Sequence, residues 1–143
     1  MKKENYEHCR SIIETMEAYY KGVMYSYENE AYNTDGLEIT ENEEGEEGYI
    51  IEGEFVSVDD MDQLSLYNYF SDGDIYDIKY TVDGNKEYCG VRLMVACGGP
   101  NIYINTVSGD VELCWWGDDA WASMGSDLRN AIDEIWEEFY NCL

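Results

Sequence analysis

Apolar residues recur at helical spacing near both ends of the chain. Between Glu4 and Tyr25 they lie three or four positions apart, which is the periodicity of one helical face. The same spacing returns after Ser126, a residue type that favours helix N-caps. We therefore predict an N-terminal and a C-terminal helix, each with one apolar face. The two faces consist of Tyr6, Cys9, Ile13, Met16, Tyr20 and Val23, and of Leu128, Ala131, Ile132, Ile135, Trp136 and Phe139.

Four short segments between Tyr76 and Trp115 instead alternate apolar and polar residues, which is typical of half-buried strands. Turn residues such as Asp83-Gly84 separate them. The segments are 76–82, 89–95, 102–104 and 111–115. We interpret residues 117–125 as an irregular loop. The predicted fold class is α+β: a single domain, 1–143, in which the N-terminal and C-terminal helices pack on a four-stranded antiparallel meander sheet.

The stretch between the first helix and this sheet has a weaker pattern. Residues 28–48 are rich in turn-forming and acidic residues and are predicted to be a loop. One strand is predicted over 49–58, and a short helix after Asp59 and Asp60. Within the loop, residues 41–48 carry five carboxylates, and repulsion between them is expected to keep this segment extended and mobile.

The formal net charge is −24 on 143 residues, from 32 Asp and Glu against 8 Lys and Arg. A charge of about 2–8 is enough to keep a small domain soluble. Because 45% of the residues are hydrophobic and 15% aromatic, the chain has the composition of a folded domain rather than of an acidic disordered tail. The charge repels nucleic acid and anionic lipid. It predicts a basic partner, namely a nucleic-acid-binding protein or nuclease.

Catalytic and metal-binding patterns are missing from the sequence. The single histidine, His8, adjoins Cys9, and neighbouring helical side chains point about 100° apart, which disfavours a catalytic dyad. The five cysteines are odd in number and form no CxxC pair, so we expect reduced thiols in the cytoplasm. Neither a signal peptide nor an apolar run of about 20 residues is visible. We expect a cytoplasmic protein that is not an enzyme and uses no cofactor or metal.

Acidic residues whose placement works against stability are the candidate partner-binding residues. On the C-terminal helix, Asp133 and Glu137, and likewise Glu134 and Glu138, are like-charge pairs at i,i+4, each costing about 0.2–0.5 kcal/mol. They also lie toward the negative end of the helix dipole. Acids of the 41–48 segment, and the pair beside Trp121, join them. The predicted set is Glu41, Glu43, Glu44, Glu46, Glu47, Asp118, Asp119, Trp121, Asp133, Glu134, Glu137 and Glu138.

The segment VRLMVACGGPNIYINT at 91–106, continuing through Gly109 and VELCWW at 111–116, resembles uncharacterised proteins carried on mobile elements of gut Firmicutes. Small, very acidic α+β proteins of phages and conjugative elements include anti-restriction and anti-CRISPR inhibitors. The resemblance implies an accessory protein of a mobile element, acting in a bacterial host cell, and it brings no catalytic residues with it. Our hypothesis is a stoichiometric inhibitor whose acidic surface mimics DNA or RNA and binds a CRISPR effector or restriction enzyme.

Three alternatives stay open. An immunity protein or antitoxin that neutralises a basic nuclease toxin has a similar composition, with acids around a shaped apolar patch. A small-molecule-binding domain requires a pocket, for which the candidate place is Cys97-Gly98-Gly99-Pro100 with Trp115-Trp116-Gly117; the same residues also suit a strand end with a tight turn and core tryptophans. The acidic surface can also serve solubility alone. In addition, the apolar stripe of the first helix suits a homodimer.

Overall fold

Helices form at both ends of the chain, as predicted, in a computed structural model that describes residues 1–143. Helix α1 spans Lys3–Lys21, α2 spans Leu66–Asp72 and α3 spans Ser126–Asn141. The first helix ends before the predicted Tyr25 because Gly22 adopts the left-handed conformation, with φ of 78°, and its N–H closes the last turn. The N-cap of α3 is Gly125, one residue before the predicted cap.

Residues 24–63 form two small sheets, so the prediction of a loop over 28–48 is wrong. Their strands are β1 (Met24–Tyr27), β2 (Glu30–Asn33), β3 (Thr40–Glu41), β4 (Glu47–Ile51), β5 (Glu54–Ser57) and β6 (Asp62–Gln63). One sheet has the strand order β2-β1-β6 and the other β3-β4-β5, and every pairing is antiparallel. We call residues 24–63 the small lobe.

Two tight turns explain why the sequence pattern missed these strands. Glu28 and Asn29 join β1 to β2, and Glu52 and Gly53 join β4 to β5, all four with positive φ. Such turns favour Asn-Gly. Because a glutamate occupies the first position of each, the sequence lacks the usual signal for a turn. The single strand predicted over 49–58 is therefore a hairpin.

The short helix also begins later than predicted. Residues Val58–Asp60 form only a single 3₁₀ turn. Helix α2 starts at Leu66, where the Ser65 N–H donates to Asn68 Oδ1 over 2.8 Å in a capping box.

The main sheet has five strands, so the predicted four-stranded meander is one strand short. It comprises β7 (Asp77–Val82), β8 (Tyr88–Ala96), β9 (Asn101–Asn105), β10 (Asp110–Trp115) and β11 (Asp118–Ser123). Neighbouring strands pair in chain order and antiparallel, which makes a meander. The prediction of a loop over 117–125 failed because the buried side of β11 carries only Ala120 and Ala122, which give a weak apolar signal.

One apolar core lies between the main sheet and the three helices. It contains 17 buried residues, among them Cys9 and Ile13 of α1, Leu93 of β8 and Ile132 of α3. The small lobe has a separate cluster of three buried residues, Ile51, Val56 and Met61. The lobe therefore depends much more on its turns and backbone pairing than the main sheet does.

Candidate partner-binding surface

The acidic segment 41–48 is the tip of the β3-β4 hairpin. Asn42 builds its turn, because its Oδ1 accepts the backbone N–H of Glu44 at 3.1 Å and of Glu46 at 2.9 Å. The Asn42 N–H in turn donates to the Glu46 carbonyl at 2.9 Å. The side chains of all five glutamates are exposed. This geometry presents them on a closed turn, where a long extended loop was expected.

Two of these glutamates face each other across the hairpin. Glu41 is the cross-strand neighbour of Glu47. Like charges directly opposite each other in an antiparallel pair destabilise it. Repulsion between Glu41 and Glu47 therefore works against the hairpin, whereas Glu46 Oε1 accepts a 3.1 Å hydrogen bond from the Asn42 side-chain amide.

Gly48 is essential to the pairing of β4 with β5, and sequence reasoning missed it. It is buried, and a Cβ added there would lie 2.0 Å from the Val56 carbonyl oxygen, closer than any real contact. No side chain fits at this position while β4 and β5 stay paired. A lone glycine at the end of an acidic run was the available signal.

On α3 the predicted acids divide into two kinds. Glu134, Glu137 and Glu138 are exposed. Asp133 is half-buried and accepts a 2.6 Å hydrogen bond from the Tyr88 hydroxyl. Burial, together with this carboxylate, raises the pKa of Tyr88. Asp133 thus joins α3 to the main sheet, whereas the three glutamates have no such partner.

Arg129, the only basic residue of α3, does not neutralise these acids. Its Nε donates to the Thr106 carbonyl at 2.6 Å, and its second terminal nitrogen donates to the Val107 carbonyl at 2.7 Å. The guanidinium lies against Gly109 in the turn between β9 and β10. The acidic face of α3 is left without a counter-charge.

Asp118 and Asp119 begin β11, but their surroundings differ. The Asp118 carboxylate accepts the Lys2 N–H at 2.9 Å and the Asn5 side-chain amide at 2.8 Å. These bonds lower its pKa to about 2 and fasten α1 to the strand. Asp119 is exposed and lies opposite Cys114, and burial together with Asp119 raises the pKa of that thiol. Trp121, also predicted, is 51% exposed on the sheet face opposite the helices.

Ion pairing leaves most of the negative charge uncompensated. Five of the 32 carboxylates form an ion pair. The pairs are Lys3–Glu7, Arg10–Glu14, Lys79–Asp77, Arg92–Glu112 and the terminal amine with Asp118. None of the five hairpin glutamates and none of the four predicted α3 acids is among them. Eight of these nine residues, all except the half-buried Asp133, are exposed negative charges that a partner would meet.

The predicted residues thus lie in three groups: on the β3-β4 hairpin, on α3, and on β11. No hydrogen bond or ion pair joins one group to another. Sequence reasoning missed the aromatic residues beside the α3 acids. Tyr67 of α2 and Phe139 of α3 stack with ring centroids 6.1 Å apart and are 51% and 40% exposed. Phe139 was predicted on the apolar face of the C-terminal helix, and periodicity alone does not show where such a face passes the edge of the core.

The two turns suggested as a small-molecule site do meet. A Cβ at Gly99 would lie 3.8 Å from the Trp115 ring. Together with Asn101 and Asp119 they line an open depression of about 440 Å³. Its most prominent side chain, Trp116, is 83% exposed. This is a surface feature with an aromatic projection, and it encloses no buried polar group.

The structure was also searched for groups of metal-binding side chains and for helices that could span a membrane. No three His, Cys, Asp or Glu side chains are grouped so that they could hold a metal ion. None of the three helices combines the length and the apolar character needed to cross a bilayer. Comparison of the chain with protein-family models, curated proteins and solved structures found no match.

Proposed function

We propose that this protein is a stoichiometric inhibitor that binds a basic nucleic-acid-binding defence protein, such as a CRISPR effector or restriction enzyme, through its acidic surface. The supporting observation is that the five hairpin glutamates and three α3 glutamates, Glu134, Glu137 and Glu138, are exposed and without ion pairs. Like charges also face each other at Glu41 and Glu47 and lie at i,i+4 in Glu134 and Glu138. Such an arrangement costs folding stability. A basic partner recovers that cost on binding, since it supplies the missing counter-charges.

A nucleic-acid site is the kind of basic surface that these acids fit. Successive turns of α3 raise its carboxylates by about 5.4 Å, similar to the spacing of phosphates along a strand. Lys and Arg groups that bind phosphates accept carboxylates in the same geometry. The protein would then occupy the groove of its target and exclude DNA or RNA.

Competition by nucleic acid tests this proposal. The tagged protein is used to capture partners from a nuclease-treated bacterial lysate at low salt, and duplex DNA or RNA is then added. We expect a basic nucleic-acid-binding protein to be captured and then released by the added nucleic acid. A partner that stays bound in the presence of excess nucleic acid would contradict the mimic.

Two charge-matched variants sharpen the experiment. One changes Glu43, Glu44 and Glu46 to glutamine. The other removes three exposed, unpaired acids elsewhere, by Glu54→Gln, Asp74→Asn and Glu87→Gln. Both lose three negative charges, so net charge alone predicts equal effects. Our proposal predicts lost capture only with the hairpin variant.

An immunity-type complex is the second candidate, favoured by one observation. Trp116 is 83% exposed at the turn between β10 and β11, and Trp121 is 51% exposed nearby on β11. Exposed tryptophans commonly anchor shape-dependent interfaces. In that case Trp116→Ala would abolish capture, the complex would survive high salt, and the partner would be a nuclease toxin. Loss of the complex at high salt with Trp116→Ala still binding excludes this candidate.

A further inference from the structure

An open groove lies between the end of α1, the start of α2 and the outer side of α3. It has a volume of about 570 Å³. Its lining includes the rings of Tyr20 and Tyr67, the aliphatic side chains of Leu64 and Ile135, and the carboxylate-bearing side chain of Glu134. Glu134 is also one of the unpaired acids of the proposed surface. The groove therefore connects an apolar feature to the acidic face of α3.

Two aromatic rings are about half exposed along this groove. Tyr20 is 48% exposed and Tyr67 is 51% exposed. Phe139, stacked on Tyr67, extends the same apolar surface along α3. Single exposed aromatic residues are ordinary, but a connected group beside a groove marks an interaction site. Tyrosine is also among the residues that contribute most to protein interfaces.

Charge determines what kind of group fits there. Glu134 at the groove and Glu138 one helical turn further along have no ion pair. The one basic side chain of the lining is Lys21, at the end of α1. A matching ligand needs an apolar stem for the rings and a positive head for the Glu134 carboxylate. Arginine has both, since its planar guanidinium stacks on aromatic rings and binds carboxylates through two parallel hydrogen bonds.

We propose that this groove receives an arginine and a neighbouring apolar side chain from an amphipathic segment of the basic partner. The aliphatic stem lies against Tyr20 and Tyr67, and the guanidinium reaches Glu134. This inference rests on the proposed function, because it names the contact that the partner makes. A second copy of the chain fits poorly, since it would bring a further charge of −24 against the acids of α3.

Two synthetic peptides of equal length and equal arginine number test the inference, one with leucine and the other with glycine between the arginines. Isothermal titration calorimetry at low salt gives the two dissociation constants. We expect the leucine peptide to bind about tenfold more tightly, because it fills the groove as well as pairing with carboxylates. In Tyr67→Ala this advantage disappears. The control variant Tyr76→Ala, which removes an equally exposed tyrosine outside the groove, retains it.

The charge contribution is separated by a second pair of variants. Glu134→Gln and Glu137→Gln remove the same charge from the same helix, but only Glu134 lines the groove. We expect Glu134→Gln to weaken the leucine peptide several-fold more than Glu137→Gln does. Circular dichroism confirms that each variant is folded before titration.

The outcomes distinguish this inference from the proposed function. Equal affinity for the two peptides, or an unchanged leucine advantage in Tyr67→Ala, overturns the groove while the acidic surface stands. If both peptides bind in a salt-sensitive way that depends only on the hairpin glutamates, the groove is likewise overturned and the acidic surface stands. If neither peptide binds at low salt, the groove and the acidic surface both fail. Dimerisation of the protein that Tyr67→Ala abolishes would instead assign the groove to a second copy.

Discussion

Two turns of this molecule, at 42–46 and at 83–87, have the same backbone design. In each, the first side chain, Asn42 or Asp83, accepts the N–H groups of the residues two and four positions later. In each, the first N–H donates to the carbonyl of the fifth residue, and the fourth residue is left-handed. That fourth residue is Gly45 in one turn and Lys86 in the other, with φ of 81° and 62°.

The surroundings of the two turns differ in charge and in support. The 83–87 turn belongs to the main sheet, and its Lys86 carbonyl accepts the Tyr140 hydroxyl of α3. The 42–46 turn joins strands that share only two residue pairs, in a lobe whose own core has three buried residues. It nevertheless carries three glutamates, flanked by Glu41 and Glu47, and no basic residue. The less supported turn therefore bears the larger repulsive charge.

This contrast shows that the turn does not require glutamates at its second and third positions. The same geometry forms at 83–87 with Gly84 and Asn85 in place of Glu43 and Glu44, whereas the fifth residue is a glutamate in both turns. Glu43 and Glu44 are thus free to be selected for another property. A positively charged partner is the physical role that such exposed, unpaired carboxylates suit.

The largest expected difference between the two regions concerns their glycines. Gly48→Ala should destabilise the small lobe by about 1–3 kcal/mol, because the new methyl group collides with the Val56 carbonyl. Gly84→Ala, where a Cβ meets nothing within 4 Å, should change stability by less than about 0.5 kcal/mol. Hydrogen exchange of the Tyr49 and Ile51 amides gives the first value, and urea unfolding the second. Similar effects for the two substitutions would contradict the packing described for β4 and β5.

Removing the turn-building side chains should separate local from global stability. Asp83→Ala leaves two N–H groups without their acceptor in the main sheet, and we expect about 1–2 kcal/mol less free energy of unfolding. Asn42→Ala removes the equivalent bonds from the hairpin alone. It should speed hydrogen exchange at Glu44 and Glu46 with little change in global unfolding by urea. A global loss for Asn42→Ala as large as that for Asp83→Ala would show that the lobe and the main sheet unfold as one unit.

Exchanging the left-handed residues tests the shared geometry directly. Lys86→Gly should stabilise the protein by about 0.5–1 kcal/mol, since glycine adopts positive φ without a steric cost. Gly45→Lys should weaken the hairpin by a similar amount. Thermal unfolding measures the first effect and hydrogen exchange the second. If Lys86→Gly destabilises the protein, the two turns are not equivalent.

The smallest effect concerns the facing glutamates. Glu47→Lys places a positive charge opposite Glu41 and should stabilise the hairpin by about 0.2–1 kcal/mol. The gain should shrink as salt is raised. The same variant should bind the arginine peptides less tightly. If the variant is more stable but binds the arginine peptides as tightly as the wild type does, the hairpin is not part of the proposed surface.

Sequence periodicity was sufficient for the parts of the fold that have a strong apolar signal. The terminal helices and strands β7 to β10 carry Ile, Leu, Val and aromatic residues at regular spacing. The sequence pattern did not predict strand β11, because alanines form its buried side. It did not predict the strands of the small lobe, because glutamates occupy its tight turns. In both places the side chains show little apolar alternation, while backbone pairing still stabilises the strands. The prediction failed there because backbone pairing leaves no pattern in the sequence.

The candidate site was harder to predict than the fold. Composition identified the acidic residues but not which of them are already engaged. Asp118 accepts a hydrogen bond from Asn5 of α1, and Asp133 accepts one from Tyr88. In each pair the two residues are more than 40 positions apart in the chain. The Arg129 guanidinium donates to the carbonyls of Thr106 and Val107 and does not pair with the acids of its own helix, which is likewise a tertiary effect. Such long-range hydrogen bonds have no periodic signature in the sequence.

Capture of a partner with the two charge-matched variants is the most direct test of the central claim. The wild type, the Glu43, Glu44 and Glu46 glutamine variant, and the Glu54, Asp74 and Glu87 amide variant are compared in one nuclease-treated lysate. We predict that a basic nucleic-acid-binding protein is retained by the wild type and the control, lost from the hairpin variant, and released by added nucleic acid. Retention by the hairpin variant, or equal loss from both variants, would contradict a binding role for this acidic surface.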